Sequence, residues 1–220
     1  MKKHVLFTIP IVLALCISTP NTIFSANEQG KTSTVSTQAI TSKQNKAITK
    51  AYQDFLAKHQ NNINYFRIDT IAGEKTPLLF VTDSVFDDGV TTSATLYIAK
   101  PNNKQATSYS IKKIGEAEST SSSYPLVLNK KKLVFGSHHY IGNLYMKQGN
   151  LYCDYYHSTS DKKGNETFYH TLYKNNKKLS EKQISKKTGE TYLYNNDNWS
   201  TNNMYSFTFQ KNTKANRTSI

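Results

Sequence analysis

Tyr140-Ile-Gly-Asn-Leu-Tyr-Met-Lys147, then Gln148-Gly149-Asn150, then Leu151-Tyr-Cys-Asp-Tyr-Tyr-His157 is the most informative stretch of the chain. Two segments rich in aromatic and aliphatic residues flank a short turn of Gly and Asn, which is β-hairpin chemistry. Working outward, a period of two recurs over residues 63–69, 77–83, 93–99 and 107–114, then over 126–128, 133–135 and 167–173. The connectors carry turn residues: Asp87-Asp88-Gly89, Asn102-Asn103, Asp161-Lys-Lys-Gly164-Asn165 and Asn175-Asn176. No helical pattern separates these strands, so the sequence predicts an antiparallel meander and not a parallel α/β sheet.

Helical periodicity brackets the strands. Over residues 42–60 the apolar positions are Ala47, Ile48, Ala51, Tyr52, Phe55 and Leu56, two adjacent rows that make one stripe. Thr41 or Ser42 can cap its start, and Lys58 and His59 suit its negative end. Residues 179–187 read as a short second helix, with Ser180 as cap and Glu181 and Gln183 in the first turn. Residues 195–203 are Asn/Ser-rich and read as irregular; 204–209 offer a last strand through Phe207 and Phe209. The expected fold class is α+β: a leading amphipathic helix packed on an antiparallel β-meander of about seven to nine strands, with a short second helix near the C-terminus. The expected organisation is a signal peptide over 1–26, a flexible Ser/Thr-rich spacer over 27–41, one α+β domain over 42–210, and a frayed basic tail over 211–220.

Composition narrows the class. The 220 residues are 37% hydrophobic and 12% aromatic, with 15 Tyr, too aromatic for a wholly disordered chain. Two Cys exclude a disulfide-stapled mini-domain and a Cys₄ zinc site. Lys2-Lys3-His4 followed by the apolar run 5–17 has the form of a secretory signal peptide, too short for a good membrane span and interrupted by Pro10. With no second such run, no transmembrane segment is expected in the processed chain. Leu13-Ala14-Leu15-Cys16 resembles a lipobox, but Leu15 is larger than the residue that normally precedes a lipid-bearing cysteine; Cys16 is read first as part of the apolar run, and lipid anchoring there as the minor alternative. Cys153 then stands alone, without an internal disulfide partner.

From Ala51 onward the layout resembles a group of small exported proteins of unknown function from Gram-positive gut bacteria. Their pattern is a leading helix, an Asp-Ile-Asp-Gly-Asp-Gly-x-Pro-Glu-Leu-like motif, several hairpins, and an Asn-Gly-Lys-x-Val-Ser-like phrase that opens a short helix. The first motif falls on Phe66-Arg-Ile-Asp-Thr-Ile-Ala-Gly-Glu-Lys-Thr-Pro-Leu-Leu-Phe-Val81, the second on Tyr173-Lys-Asn-Asn-Lys-Lys-Leu-Ser-Glu-Lys-Gln-Ile184. Ile71, Gly73, Pro77 and Leu79 fit; Thr70 and Ala72 stand where Asp is expected, and Leu78 replaces Glu. The resemblance implies a fold type and carries over no active site.

Each candidate for chemistry has a plainer reading beside it. Asp83, Asp87 and Asp88 crowd one turn, but Val85 and Phe86 occupy positions where a calcium loop needs oxygen, so no metal is expected. His138, His139, His157 and His170 lie in the strand region without metal-ligand spacing. Cys153 alternates with Leu151 and Tyr155 and is read as a small core residue ahead of a Cys–His nucleophile. Glu116 and Glu118 share one strand face, as a glycosidase pair would, yet border a Ser-rich loop and read as solvated. No cofactor is implied.

Charge gives the last signal. Lys+Arg 28 against Asp+Glu 15 sets a net charge of +13 and a pI near 9.5. Lys174, Lys177, Lys178, Lys182, Lys186 and Lys187 cluster over 171–190 against only Glu181 and Glu190, a local excess of +4. Exposed Tyr rings and Trp199 could stack on sugars, though most strand Tyr pack a half-buried sheet; these lysines and Trp199 are the candidate binding residues. Nucleic acid is not the expected partner of an exported chain; an anionic wall polymer or a glycan is. The expected function is a non-catalytic, secreted or envelope-associated binding module, with a small secreted hydrolase as the alternative. Nothing in the sequence sets an oligomeric state.

Overall fold

A computed structural model describes residues 40–194, 197–199 and 206–220. The expectations for the signal peptide, Cys16, residues 27–39 of the spacer and most of 195–205 fall outside the described residues. Those described belong to the unit Gln38–Ile220.

Helix α1 (Ser42–Lys58) starts at a reciprocal cap: Gln44 N donates to Thr41 Oγ1 at 3.2 Å, and Thr41 N to Gln44 Oε1 at 2.9 Å. Ile48, Tyr52 and Leu56 are its buried face, while Ala47, Ala51 and Phe55 are half-buried along its flank. The docking stripe is therefore narrower than the six positions expected, with Phe55 leaning sideways onto Tyr97 at 5.0 Å.

Among the described residues, eleven strands follow: β1 (Tyr65–Asp69), β2 (Leu78–Thr82), β3 (Ser93–Pro101), β4 (Tyr109–Glu118), β5 (Val127–Asn129), β6 (Lys132–Gly136), β7 (Tyr140–Lys147), β8 (Asn150–Ser160), β9 (Glu166–Lys174), β10 (Lys177–Ile184) and β11 (Gln210–Lys211). They form two antiparallel sheets. One has five strands in the order β11-β1-β2-β3-β4; the other is an unbroken meander from β5 to β10. The fold is α+β, as the periodicity predicts. The sheets share one core, with Leu78, Phe80, Leu96 and Ile98 from the first meeting Leu133, Leu144, Leu151 and Cys153 from the second. β2 is buried at every residue because its other face, through Leu79 and Val81, lies under α1.

The β1–β2 loop ties the sheets together. Ala72 N donates to Lys131 O at 2.6 Å, and Met146 N donates to Ala72 O at 2.8 Å. Gly73 follows with φ +82°, pressed against the backbone of Met146.

Three expectations need correction. Residues 177–184 form strand β10, not a helix opening at Ser180; helix α2 is Lys186–Leu193, capped by Ser185, whose Oγ accepts from Thr188 N at 3.2 Å. Asn175 (φ 48°) and Asn176 (φ 64°) make a two-residue left-handed turn that folds β10 back onto β9, and backbone pairing outweighs the weak helical pattern. Second, Phe207 and Phe209 are buried in the core, yet strand geometry begins only at Gln210. Third, the tail is folded. After β11, Thr213 caps helix α3 (Lys214–Thr218), and Arg217 is buried with its Nη1 donating to Asn212 Oδ1 at 3.0 Å. Asn212 Nδ2 in turn donates to Leu56 O and Ile63 O at 3.2 and 2.9 Å, and Gln53 Nε2 to Arg217 O at 3.0 Å, which fixes the tail to α1. No helix among the described residues is long and apolar enough to cross a membrane.

Candidate binding surface

The structure gathers four of the candidate lysines on one hairpin. Lys174 ends β9, and Lys177, Lys178 and Lys182 lie on β10, the edge strand of the six-stranded sheet. Lys177 to Gln183 are all exposed. Lys178 Nζ pairs with Glu181 Oε1 at 3.0 Å; Lys186 pairs with Glu190 at 3.7 Å on α2, beside an exposed Lys187. Lysines on a bare edge also discourage strand addition by other chains, so part of this cluster serves the fold itself.

Trp199 is not with them. It lies beside β5, at the opposite edge of the same sheet. Its Nε1 donates to Pro125 O at 2.8 Å, and its half-buried ring packs edge-on against Tyr124 at 5.0 Å. Gly136 leaves room for it: a Cβ there would sit 3.0 Å from the indole. Trp199 is occupied in packing.

What does adjoin the lysines is a run of aromatic side chains that the sequence does not single out among its tyrosines. Strand register sets Tyr140, His157, Tyr169 and Gln183 in one cross-strand row, Gly142, Tyr155, Thr171 and Glu181 in the next, and Leu144, Cys153, Tyr173 and Lys178 in a third. All three rows lie on the face that carries the shared core at Leu144 and Cys153, and they become polar toward β10. Tyr140 and Tyr155 stack at 5.5 Å, Tyr155 lies 5.5 Å from His157, and His157 stacks on Tyr169 at 5.2 Å. Tyr173 meets Tyr155 edge-on at 6.0 Å. Gly142 admits Phe135, whose ring occupies the space a side chain would fill. β4 borders the row where Tyr140 Oη donates to Glu118 O at 3.2 Å.

The polar atoms of this surface are little used. Tyr155, Tyr169 and Tyr173 make no side-chain hydrogen bond among the described residues, unlike core Tyr52, whose hydroxyl is fully engaged. His157 Nδ1 is sealed from solvent without a hydrogen-bond partner; Nε2 has none either but reaches solvent. Burial pushes the Tyr155 and Tyr173 phenols up and pulls the His157 imidazolium down. Glu181 accepts from Thr171 Oγ1 at 2.9 Å as well as from Lys178, and these bonds, that from Lys178 foremost, hold its carboxyl below the usual range.

The other candidates are dispersed. His157 and His170 lie on opposite faces of the sheet; His170 Nε2 sits 3.1 Å from Asp154 Oδ1, while His138 Nδ1 contacts Tyr124 Oη at 2.8 Å. Asp88 closes its own turn by accepting from Val90 N at 3.2 Å. No group of three His, Cys, Asp or Glu residues among those described could hold a metal ion. Glu116 and Glu118 both line an open groove of about 590 Å³ beside the end of α1, where Glu116 is paired with Lys113.

Cys153 is buried, and burial pushes its thiol up to about 12. Iodoacetamide at pH 8 should therefore leave Cys153 unmodified in the native protein and label it in denaturant, read by the mass of the peptide that carries it; rapid native labelling of that peptide would place the thiol at the surface. Compared with protein-family models, curated proteins and solved structures, the chain matches none.

Proposed function

We propose that this chain is an exported, envelope-associated binding module that contacts an anionic or glycan surface through the β8–β10 side of its six-stranded sheet. One observation carries the reading: aromatic rings with unengaged hydroxyls adjoin a lysine-bearing edge strand that is exposed from Lys177 to Gln183. Such a surface suits an extended polymer better than a small enclosed substrate. A small hydrolase, the alternative, would use the groove at Glu116 and Glu118, but the ion pair to Lys113 already occupies one of its two carboxylates.

Retention on purified anionic wall polymer should fall steeply with salt, because exposed charges are screened over about 8 Å at physiological ionic strength. Replacing Lys177, Lys178, Lys186 and Lys187 by Gln should weaken retention on the order of tenfold. The same change at Lys43, Lys46, Lys100 and Lys104 should matter less, and both variants should keep their urea midpoint, since exposed pairs contribute little. Equal loss from the two sets would mean diffuse charge and no located surface. Recovery of the protein from the wall or medium of its host, with residues 1–26 removed, tests export.

A further inference from the structure

We propose that the row Tyr140–His157–Tyr169 is the floor of a sugar subsite, where a neutral pyranose ring lies across the outer edge of the His157–Tyr169 stack and one of its hydroxyls accepts a hydrogen bond from His157 Nε2. This rests on the binding-module reading above and specifies which contact is made with sugar.

The argument begins with the orphaned nitrogen. A buried polar atom without a partner is rare in folded proteins and lowers stability. Orphaned N–H groups are rarer than orphaned acceptors, so the proton is assigned to Nε2 and the bare lone pair to Nδ1. The environment keeps the ring neutral by disfavouring its charged form. His157 thus offers one outward N–H donor at the edge of its ring stack with Tyr169.

Its neighbours complete a polyol's needs. Tyr169 is stacked on it at 5.2 Å with a free hydroxyl that can donate or accept, and Tyr155 and Tyr173 supply two more. Glu181, one row over and opposite Thr171, is an acceptor fixed by Thr171 and Lys178. A ring with an apolar face and hydroxyls around its rim matches this mixture. An anion does not, because Glu181 repels it and neutralises Lys178, the nearest cation in the three rows.

His157→Phe separates this role from a structural one. Phe keeps an aromatic ring against Tyr169 and removes both nitrogens, so the fold is relieved of its orphaned atom while the donor is lost. Calorimetry with cellohexaose, maltohexaose, chitohexaose and mannohexaose is the test. At least one should bind the full chain, and His157→Phe should weaken it about tenfold, as expected for one lost hydrogen bond to an uncharged partner left unpaired, with an unchanged or higher urea midpoint. Tyr169→Ala should weaken the same sugar. No binding of any hexasaccharide at millimolar concentration, or equal binding by His157→Phe, overturns the proposal. Should His157→Phe not fold, NMR shifts of the wild type with the bound hexasaccharide decide: changes centred on Tyr155, His157 and Tyr169 support the subsite, and changes elsewhere overturn it. Retention on anionic polymer without hexasaccharide binding removes the sugar subsite and leaves the charged surface standing. Hexasaccharide binding lost in His157→Phe, without polymer retention, does the reverse.

Discussion

Gly73→Ala should lower the free energy of unfolding by roughly 3–5 kcal/mol, a large share of the ~5–15 kcal/mol typical of a domain. Two costs combine. Gly73 has φ +82°, a region that costs an L-residue about 1–2 kcal/mol. A Cβ there would also overlap the carbonyl oxygen of Met146 and lie 2.7 Å from its carbonyl carbon, so backbone must move. The movement would strain the bonds from Ala72 N to Lys131 O and from Met146 N to Ala72 O, each worth about 1 kcal/mol. Gly164 is the control: its φ is also +82°, yet nothing lies within 4 Å of its Cβ position. Gly164→Ala should therefore cost only the conformational part. Equal drops in urea midpoint would show that contact with Met146 is not the cause.

Tyr52→Ala should cost about 4 kcal/mol, and Tyr52→Phe about 1–3 kcal/mol. Tyr52 is fully buried on the sheet-facing side of α1, so truncation leaves a cavity between helix and sheet. Its hydroxyl donates to Pro77 O at 2.7 Å and accepts from Ala99 N at 3.0 Å. Leu78 pairs with Ile98, so the hydroxyl bridges two strands one step past the end of their ladder. Phe keeps the packing and strands the Ala99 N–H inside the core. Lys50→Ala, on the exposed face with Asp54 as its pair, should change the urea midpoint little. A Tyr52→Phe variant as stable as wild type would mean that the bridge contributes nothing.

The hairpins were legible because their turns are local chemistry. Gly149, Asn175 and Asn176 adopt the left-handed angles their residue types favour. Lys130 and Lys131 adopt them as well, a turn that residue type does not announce. β10 was missed because eight residues with almost no burial carry no apolar period, and only pairing with β9 defines them. The folded tail was missed because Arg217 and Asn212 are polar residues buried through specific hydrogen bonds. For the candidate surface, sequence located the lysines but not the rings. Residues 140, 157 and 169 meet only through strand register, and a tyrosine in a strand looks the same whether it packs a core or floors a surface. Trp199 drew attention as a lone indole, and the structure commits it to Pro125 and Tyr124.

The stitch at Ala72 also bears on the order in which the chain can fold. From β5 to β10 every strand pairs with its neighbour in sequence, so that sheet closes only short loops and can form early. The five-stranded sheet cannot finish alone: Ala72 needs Lys131 and Met146, and β1 needs β11, where Tyr65 pairs with Lys211. Each of these contacts closes a long loop before it returns any stabilisation. In a chain made or released N-terminus first, α1 and the first hairpin therefore wait for nearly the whole sequence before they lock. Through that interval Ile48, Tyr52 and Leu56 have no completed sheet to cover, and this is when the chain is most exposed to proteases and to its own kind.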